Sequence, residues 1–415
     1  MSEGQAHSDV RMQGFASRTT VRDALERLDA LLRPLETESV PLMAAAGRVL
    51  AAPIVSQVDV PGFDRATMDG YAVVAESTEG ATAYNRVPLT VVGDALPGSP
   101  FGARCLPGTA VRIMTGAPMP AGCDAVLPAE WVEAEPESPA RITAVSSVSP
   151  GKNVGLRGED IVSGTALLDA GRVLRPQDLG VMSSIGHGTA AVIRRPRVRL
   201  VITGNELLAA GSTPHDFHIT DANGPMLAAL AARDGGLVDF PGLVPDEPGA
   251  ILEGLRADAD VVIVSGGSSV GIEDHAPGLL AEHGMLAVHG VAMRPSSPTG
   301  FGTLGGALVF LLPGNPVSAL CAYDFFAGRA IRALGGRPKA WPYAAARGTL
   351  VRKISSPIGR LDYARVRLEH GRIEPLSVSG ASLLSSTTRA DGFVIVDDDS
   401  EGFPAGADVD VWLYG

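Results

Sequence analysis

The stretch PRVRLVITGNE (196–206) opens a run in which strand and helix patterns alternate as far as residue 336. VRLVI (198–202) is a short apolar run closed by Gly204, the signature of a strand buried on both faces. ITDANGPMLAALAARDGG (219–236) follows as an amphipathic helix with a glycine stop, and LVDFPGLVP (237–245) as a strand. PGAILEGLRADA (248–259) reads as a helix, and DVVIVSGGSSVG (260–271) as a strand entering a Gly/Ser loop. APGLLAEHG (276–284) is a helix, ALVFLLPGN (307–315) a strand, and PVSALCAYDFFAGRAIRALGG (316–336) a long helix. Strict alternation at this spacing predicts a parallel sheet covered on both faces, a doubly wound α/β domain over 191–336.

The flanks differ. VRDALERLDALLRP (21–34) places Val21, Leu25, Leu28 and Leu31/Leu32 on one helical face, with Thr20 suited to start it. From Val58 to Val148, short β runs alternate with Gly/Pro punctuation and no helical period, predicting a β-rich inserted domain over 58–149. Segments 17–57 and 150–190, the latter with a helix starting near Pro176, then form one discontinuous N-terminal domain, the second piece packing back on the helix of the first. Short β runs return in 337–415 as a small C-terminal β domain. The fold class is therefore α/β multi-domain.

Composition removes several classes of function. The chain has 415 residues and a formal charge of −12, which disfavours nucleic acid. No uncharged apolar run approaches the roughly 18 residues of a membrane span, and the N-terminal MSEGQAHSDVRMQGFASRTT reads as a tail without a signal-peptide core. The three cysteines Cys105, Cys123 and Cys321 form no CxxC pair, which points to a reducing, cytoplasmic setting rather than a disulfide or zinc framework. Cys321 reads as a small buried hydrophobe, Cys123 as unreactive, and the His215-Asp216-Phe217-His218 run as a solvated loop.

Ligands of open parallel sheets bind outside the carboxyl ends of the strands. Three such ends carry glycine: Thr203-Gly204-Asn205-Glu206, Ser265-Gly266-Gly267-Ser268-Ser269-Val270-Gly271, and Pro313-Gly314-Asn315-Pro316. Glycine lets backbone approach a ligand, and free N–H groups there attract phosphate. Glu206, Asp221, Asp246, Glu247 and Asp274 cluster at these ends. Carboxylates beside a phosphate loop suggest Mg²⁺, although Asp221 and Asp274, each ahead of a helix, serve equally well as caps. In the β-rich part, PGFDRATMDGYA (61–72) and TGAPMPAGCDAV (115–126) mix residues that no strand or helix requires.

Six motifs in order carry a family resemblance: PGFDRATMDGYAV (61–73), RIMTGAPMPAGCDAV (112–126), RGEDI (157–161) with GRVLRPQDLG (171–180), RRPRVRLVITGNEL (194–207), DVVIVSGGSSVGIEDH (260–275) and LLPGNPVSAL (311–320). Together the chain resembles the molybdopterin molybdenumtransferases, including the E domain of gephyrin, from about residue 20 through SSTTRADGFVIV (385–396). The resemblance implies a four-domain homodimer that takes adenylylated molybdopterin and molybdate, releases AMP with Mg²⁺, and leaves molybdenum on the dithiolene. It also implies transient contact with other cofactor-biosynthesis proteins or recipient molybdoenzymes. By position it implies catalytic roles for Asp69, Glu206, Asp274 and Arg294, and metal ligation by Glu206, Asp246 and Asp274. Substrate or phosphate contacts fall on Thr115, Asp160, Thr203, Gly204, Ser265, Gly266, Gly267, Ser268, Ser269, Pro313, Gly314, Asn315, Pro316, Arg365 and Ser385.

Three departures stand out. The family's DNSAMDGYA reads DRATMDGYA (64–72), its TGDEL reads TGNEL (203–207), and its KPGKP reads RPSSP (294–298). Ser297 cannot replace a lysine beside a dianion, and Arg65 is a cation that could compensate. An alternative is a carrier or scaffold that binds molybdopterin or its adenylate without inserting metal. A nucleotide-handling enzyme, such as an adenylyltransferase, would not need the β-rich domains.

Overall fold

The structure is a computed structural model that describes residues 18–134, 140–267, 274–377 and 382–414. Contacts divide the chain into two compact units. The first holds the residues up to Ser39, Gly47–Ala51 and those from Ala191 on; the second holds Val40–Ala46 and Ala52–Ala190.

In the first unit the sheet is built from β1 (Arg197–Thr203), β2 (Leu237–Asp239), β3 (Val261–Ser265), β4 (Met285–His289), β5 (Gly300–Leu304) and β6 (Ala307–Leu312). Their order is β2-β1-β3-β6-β5-β4, with Leu243–Val244 pairing beside β1. Side chains alternate between the two faces, as strand geometry requires. Val198, Leu200, Ile202, Val261, Ile263, Leu308 and Phe310 enter one core. Val201, Val262, Val264, Val309 and Leu311 enter the other. Helices α1 (Asn223–Arg233), α4 (Pro316–Ala322) and α5 (Gly328–Leu334), with a π-helical turn Tyr323–Ala327 between the last two, supply the first core. Helices α2 (Pro248–Leu255) and α3 (Ala276–His283) supply the second.

The doubly wound arrangement matches the sequence pattern, but the sheet is mixed. β5 runs antiparallel to both β6 and β4. A Gly305-Gly306 turn joins β5 to β6 with both glycines at positive φ, the requirement of a tight two-residue hairpin. A Cβ on Gly302 would lie 1.9 Å from the Met285 carbonyl oxygen, so close pairing with β4 demands glycine there. These glycines make β5 look like a loop in sequence.

The helix Val21–Leu31 starts where the Asp23 N–H donates to the Thr20 hydroxyl at 3.1 Å. Its Val21, Ala24 and Leu28 face joins the α/β core. Contacts group this helix with the α/β sheet. In the same unit, Leu361–Glu369, Arg372–Ser377, Ala344–Leu350, Asp408–Leu413 and Gly392–Val396 pair in turn, and the last returns to pair with the first. Met293–Arg294 adds to this sheet beside Leu361–Glu369.

The second unit contains a six-stranded sheet in the order Ala125–Pro128, Gly70–Val73, Thr109–Ile113, Val87–Ala95, Arg141–Ala144, Val132–Ala134. Val73, Ala110 and Leu127 fill one face and Ala72, Val111 and Val126 the other. The helix Pro176–Ser184 begins on Asp178, whose carboxylate accepts from the Arg175 backbone N–H and from both Arg172 and Arg175 side chains. Among the described residues no helix is long and apolar enough to cross a membrane.

Candidate functional site

The carboxyl ends of β1, β3 and β6 lie side by side because these strands pair directly, Ile202 opposite Ser265 and Ser265 opposite Leu312. The chain turns sharply after β3. Gly266 has φ +98°, and a Cβ there would lie 1.9 Å from the Thr203 carbonyl oxygen; Gly267 has φ +54°, and its Cβ would lie 3.2 Å from Asp246 Oδ1. Both positions favour glycine for their backbone conformation, and Gly266 demands it for space as well. Gly314 is the looser neighbour, where a Cβ would come no nearer than 3.7 Å to the Gly266 Cα.

Two buried polar side chains tie the floor together. Thr203, 2% exposed, donates its hydroxyl to Asp246 Oδ1 at 3.1 Å. Asn223 donates from Nδ2 to Ser265 Oγ at 2.9 Å and to the Gly314 carbonyl oxygen at 2.7 Å. A carbonyl only accepts, so the Gly314 contact fixes which way the amide points. Asn223 Oδ1 is then buried without a hydrogen-bond partner. Asp221 accepts the Gly224 N–H at 2.9 Å, acting as the helix cap that its position allowed. Glu206 is exposed and folds back over Gly204, where a Cβ would meet its Oε2 at 2.8 Å. Asp274 is half-buried two residues ahead of α3. Pro313 is buried, Asn315 is exposed at the start of α4, and Pro316 is its first residue. Ser268 and Ser269 lie outside the described residues.

Thr203 and Ser265 were expected to touch phosphate. Both side chains are instead turned inward, engaged with Asp246 and Asn223. Asn223 itself escaped the sequence reading, because an asparagine at a helix start reads as a cap. Among the described residues no three His, Cys, Asp or Glu side chains gather as a metal cage.

In the second unit the structure brings two expected residues together. Asp69 Oδ1 accepts the Thr115 backbone N–H at 2.7 Å and the Thr115 hydroxyl at 2.9 Å. These bonds, the backbone one foremost, hold the Asp69 carboxyl below its ordinary range. The GEDI and PGFD segments also meet: Asp160 N–H donates to the Val60 carbonyl, Arg157 N–H to Asp64, and Arg65 pairs with Glu159 at 3.6 Å. Asp160 and Asp69 are both exposed.

Residues 19–186 match the family described as MoeA N-terminal region (domain I and II). Residues 199–333 match a probable molybdopterin binding domain, and 347–414 the MoeA C-terminal region (domain IV). The chain is 34% identical over 395 residues to Molybdopterin molybdenumtransferase 2 of Mycobacterium tuberculosis, covering 92% of this chain and 96% of that one. The chain belongs to the molybdopterin molybdenumtransferase family. A molybdopterin molybdenumtransferase of Haemophilus influenzae is 33% identical, again with 92% of this chain and 95% of the relative covered. The crystal structure of a molybdopterin biosynthesis MoeA protein from Pyrococcus horikoshii superposes with a TM-score of 0.80 at 32% identity, over 96% of this chain and all of that one.

Against the family's KPGKP, the RPSSP segment takes on a physical meaning. Arg294 is ion-paired with the fully buried Asp362, which Arg360 also contacts at 3.2 Å, so two guanidinium groups share one carboxylate. Ser296 adopts φ +91° where the family has glycine, and its hydroxyl donates to the Ser318 carbonyl at 2.5 Å. Ser297 Oγ, at the second lysine's position, is buried without a partner. Arg365 is fully buried in Leu361–Glu369 opposite Phe393, so it offers no exposed face to a ligand here. Ser385 is exposed at the start of a short helix. A cavity of about 430 Å³ lined by Val21, Phe325, Trp341 and Trp412 contains none of the catalytic, metal or substrate residues implied by the resemblance.

Proposed function

We propose that this family member inserts molybdate into adenylylated molybdopterin with release of AMP, acting in the cytoplasm as a Mg²⁺-dependent homodimer that contacts cofactor-biosynthesis partners or recipient molybdoenzymes transiently. The observation that carries this reading is the floor at the strand ends, where Asp246 lies over Gly267 and Thr203 holds one of its oxygens. A turn in which Gly266 leaves no room for a Cβ, with a carboxylate at its rim, suits a phosphate approached by backbone N–H groups and a cation between the two charges. Asp246 would hold Mg²⁺, with Glu206 and Asp274 as the further acidic candidates, and the bound ion would offset charge on the anhydride. Mg²⁺ takes one or two carboxylates and completes its shell with phosphate oxygens and water, so a few acidic side chains at the strand ends suffice. Exposed Asp69, fixed by Thr115 and ionised above its depressed pKa, is an acceptor for donors on the substrate.

One observation favours a second reading, a carrier that holds the adenylate without turnover. The cation at 294 is paired with Asp362, and position 297 has only a hydroxyl to offer a molybdate dianion. The test is AMP release from purified protein given adenylylated molybdopterin and Mg²⁺, with and without molybdate. Molybdate-dependent release establishes the transferase. Tight binding of the adenylate without release establishes the carrier.

A further inference from the structure

We propose that Thr203 is a positioning residue for Asp246, setting which carboxylate oxygen meets the cation, and that it is not a phosphate contact. The inference rests on the functional reading above, since it assigns Asp246 a divalent cation. Thr203 is the last residue of β1, whose backbone is held by pairing on both sides, to Leu243–Val244 and to β3. Its side chain is 2% exposed, so it has no surface to give a ligand. Its hydroxyl donates to Asp246 Oδ1 at 3.1 Å. Asp246 belongs to the loop between Leu243–Val244 and α2 and is half-buried, so it needs an outside reference to keep one orientation.

The same residue fixes the other wall. The Thr203 carbonyl oxygen is the atom that a Cβ on Gly266 would strike at 1.9 Å, and a Cβ on Gly267 would lie 3.5 Å from Thr203 Cγ2 and 3.2 Å from Asp246 Oδ1. Thr203 thus gauges the spacing of the β3 loop with its backbone and the aim of the carboxylate with its hydroxyl. A carboxylate oxygen that accepts a hydroxyl proton leaves the second oxygen for a metal. Outer partners of this kind orient metal-binding carboxylates, and their loss costs about 10–100-fold in metal affinity or activity.

The test compares Thr203→Val, which keeps shape and removes the hydroxyl, with Thr203→Ser, which keeps the hydroxyl. Mn²⁺, a paramagnetic stand-in for Mg²⁺, is titrated by electron paramagnetic resonance into full-length protein saturated with adenylylated molybdopterin. Adenylate affinity is measured separately in EDTA. The expected result is a Mn²⁺ dissociation constant about 10–100-fold higher in Thr203→Val, close to wild type in Thr203→Ser, with unchanged metal-free adenylate affinity in both. A general packing defect would instead weaken metal-free adenylate binding in Thr203→Val, and that result overturns the proposal. Equal Mn²⁺ affinity in wild type and Thr203→Val overturns it as well while leaving the functional reading intact. If the wild-type complex binds no Mn²⁺, the metal assignment fails, and the proposal fails with it.

Discussion

Asp246 in the first unit and Asp69 in the second are each held by a threonine, yet the two attachments differ. Asp69 takes both the backbone N–H and the hydroxyl of Thr115, so its orientation survives loss of the hydroxyl. Asp246 takes the hydroxyl of Thr203 at the end of a paired strand. One carboxylate is held by a loop's own backbone, and the other by a side chain projecting from a rigid sheet. Identical residue types therefore predict different sensitivities to the same substitution, and each unit serves as the control for the other.

The largest effect should come from the sheet-end backbone on which Thr203 depends. Gly266→Ala places a methyl group within 1.9 Å of the Thr203 carbonyl oxygen at φ +98°. We expect a loss of about 2–4 kcal/mol in unfolding free energy and undetectable adenylate binding, by thermal denaturation and equilibrium dialysis. Gly314→Ala, where only ordinary contact at 3.7 Å is predicted, should cost less than about 1 kcal/mol.

Asp246→Asn should lower AMP release by about 100-fold at fixed Mg²⁺ and move the Mg²⁺ midpoint upward. Asp69→Asn should lower release without moving that midpoint. A shared change in Mg²⁺ dependence would dissolve the distinction between the two carboxylates.

Thr115→Val sharpens the contrast further. Its effect on release should stay within about threefold, because the larger contribution to Asp69 is the backbone N–H, well below the roughly 10-fold or more expected of an outer partner to a metal-binding carboxylate. The Asp69 carboxyl, followed by NMR titration, should rise part of the way toward its ordinary value. Because this pKa is depressed in the folded state, its contribution to folding is present above the unfolded value. It disappears as pH falls through the folded value, so acid sensitivity belongs below about pH 4.

The smallest expected effect concerns Ser296. Replacing it by glycine removes a left-handed serine at φ +91° but also its bond to the Ser318 carbonyl, so stability should change by less than about 1 kcal/mol in chemical denaturation.

Much of this architecture is legible in the residues themselves. The aliphatic runs at 198–202, 261–264 and 307–312 have no alternative to burial on both faces, and the glycines that follow the first two mark where the chain must turn. What hid was conformational or tertiary. The β4–β5 pairing needs glycine for close approach, and glycine conceals a strand. Thr203 and Ser265 are legible as residues at strand ends, but only the fold reveals that they face inward. Asn223 became visible once the Ser265 and Gly314 ends were seen to converge on its amide. Arg365 lies in the expected segment, yet pairing opposite Phe393 buries it completely. The RPSSP departure was visible as a lost lysine, while the pairing of Arg294 with Asp362 was not.

Metal insertion is tested by the ratio of molybdenum bound to pterin against AMP released, measured on desalted product by inductively coupled plasma mass spectrometry and chromatography. The two are expected to appear together, one metal for each AMP, and only when molybdate is supplied. AMP release without molybdenum on the pterin, or no release from a bound adenylate, would contradict insertion.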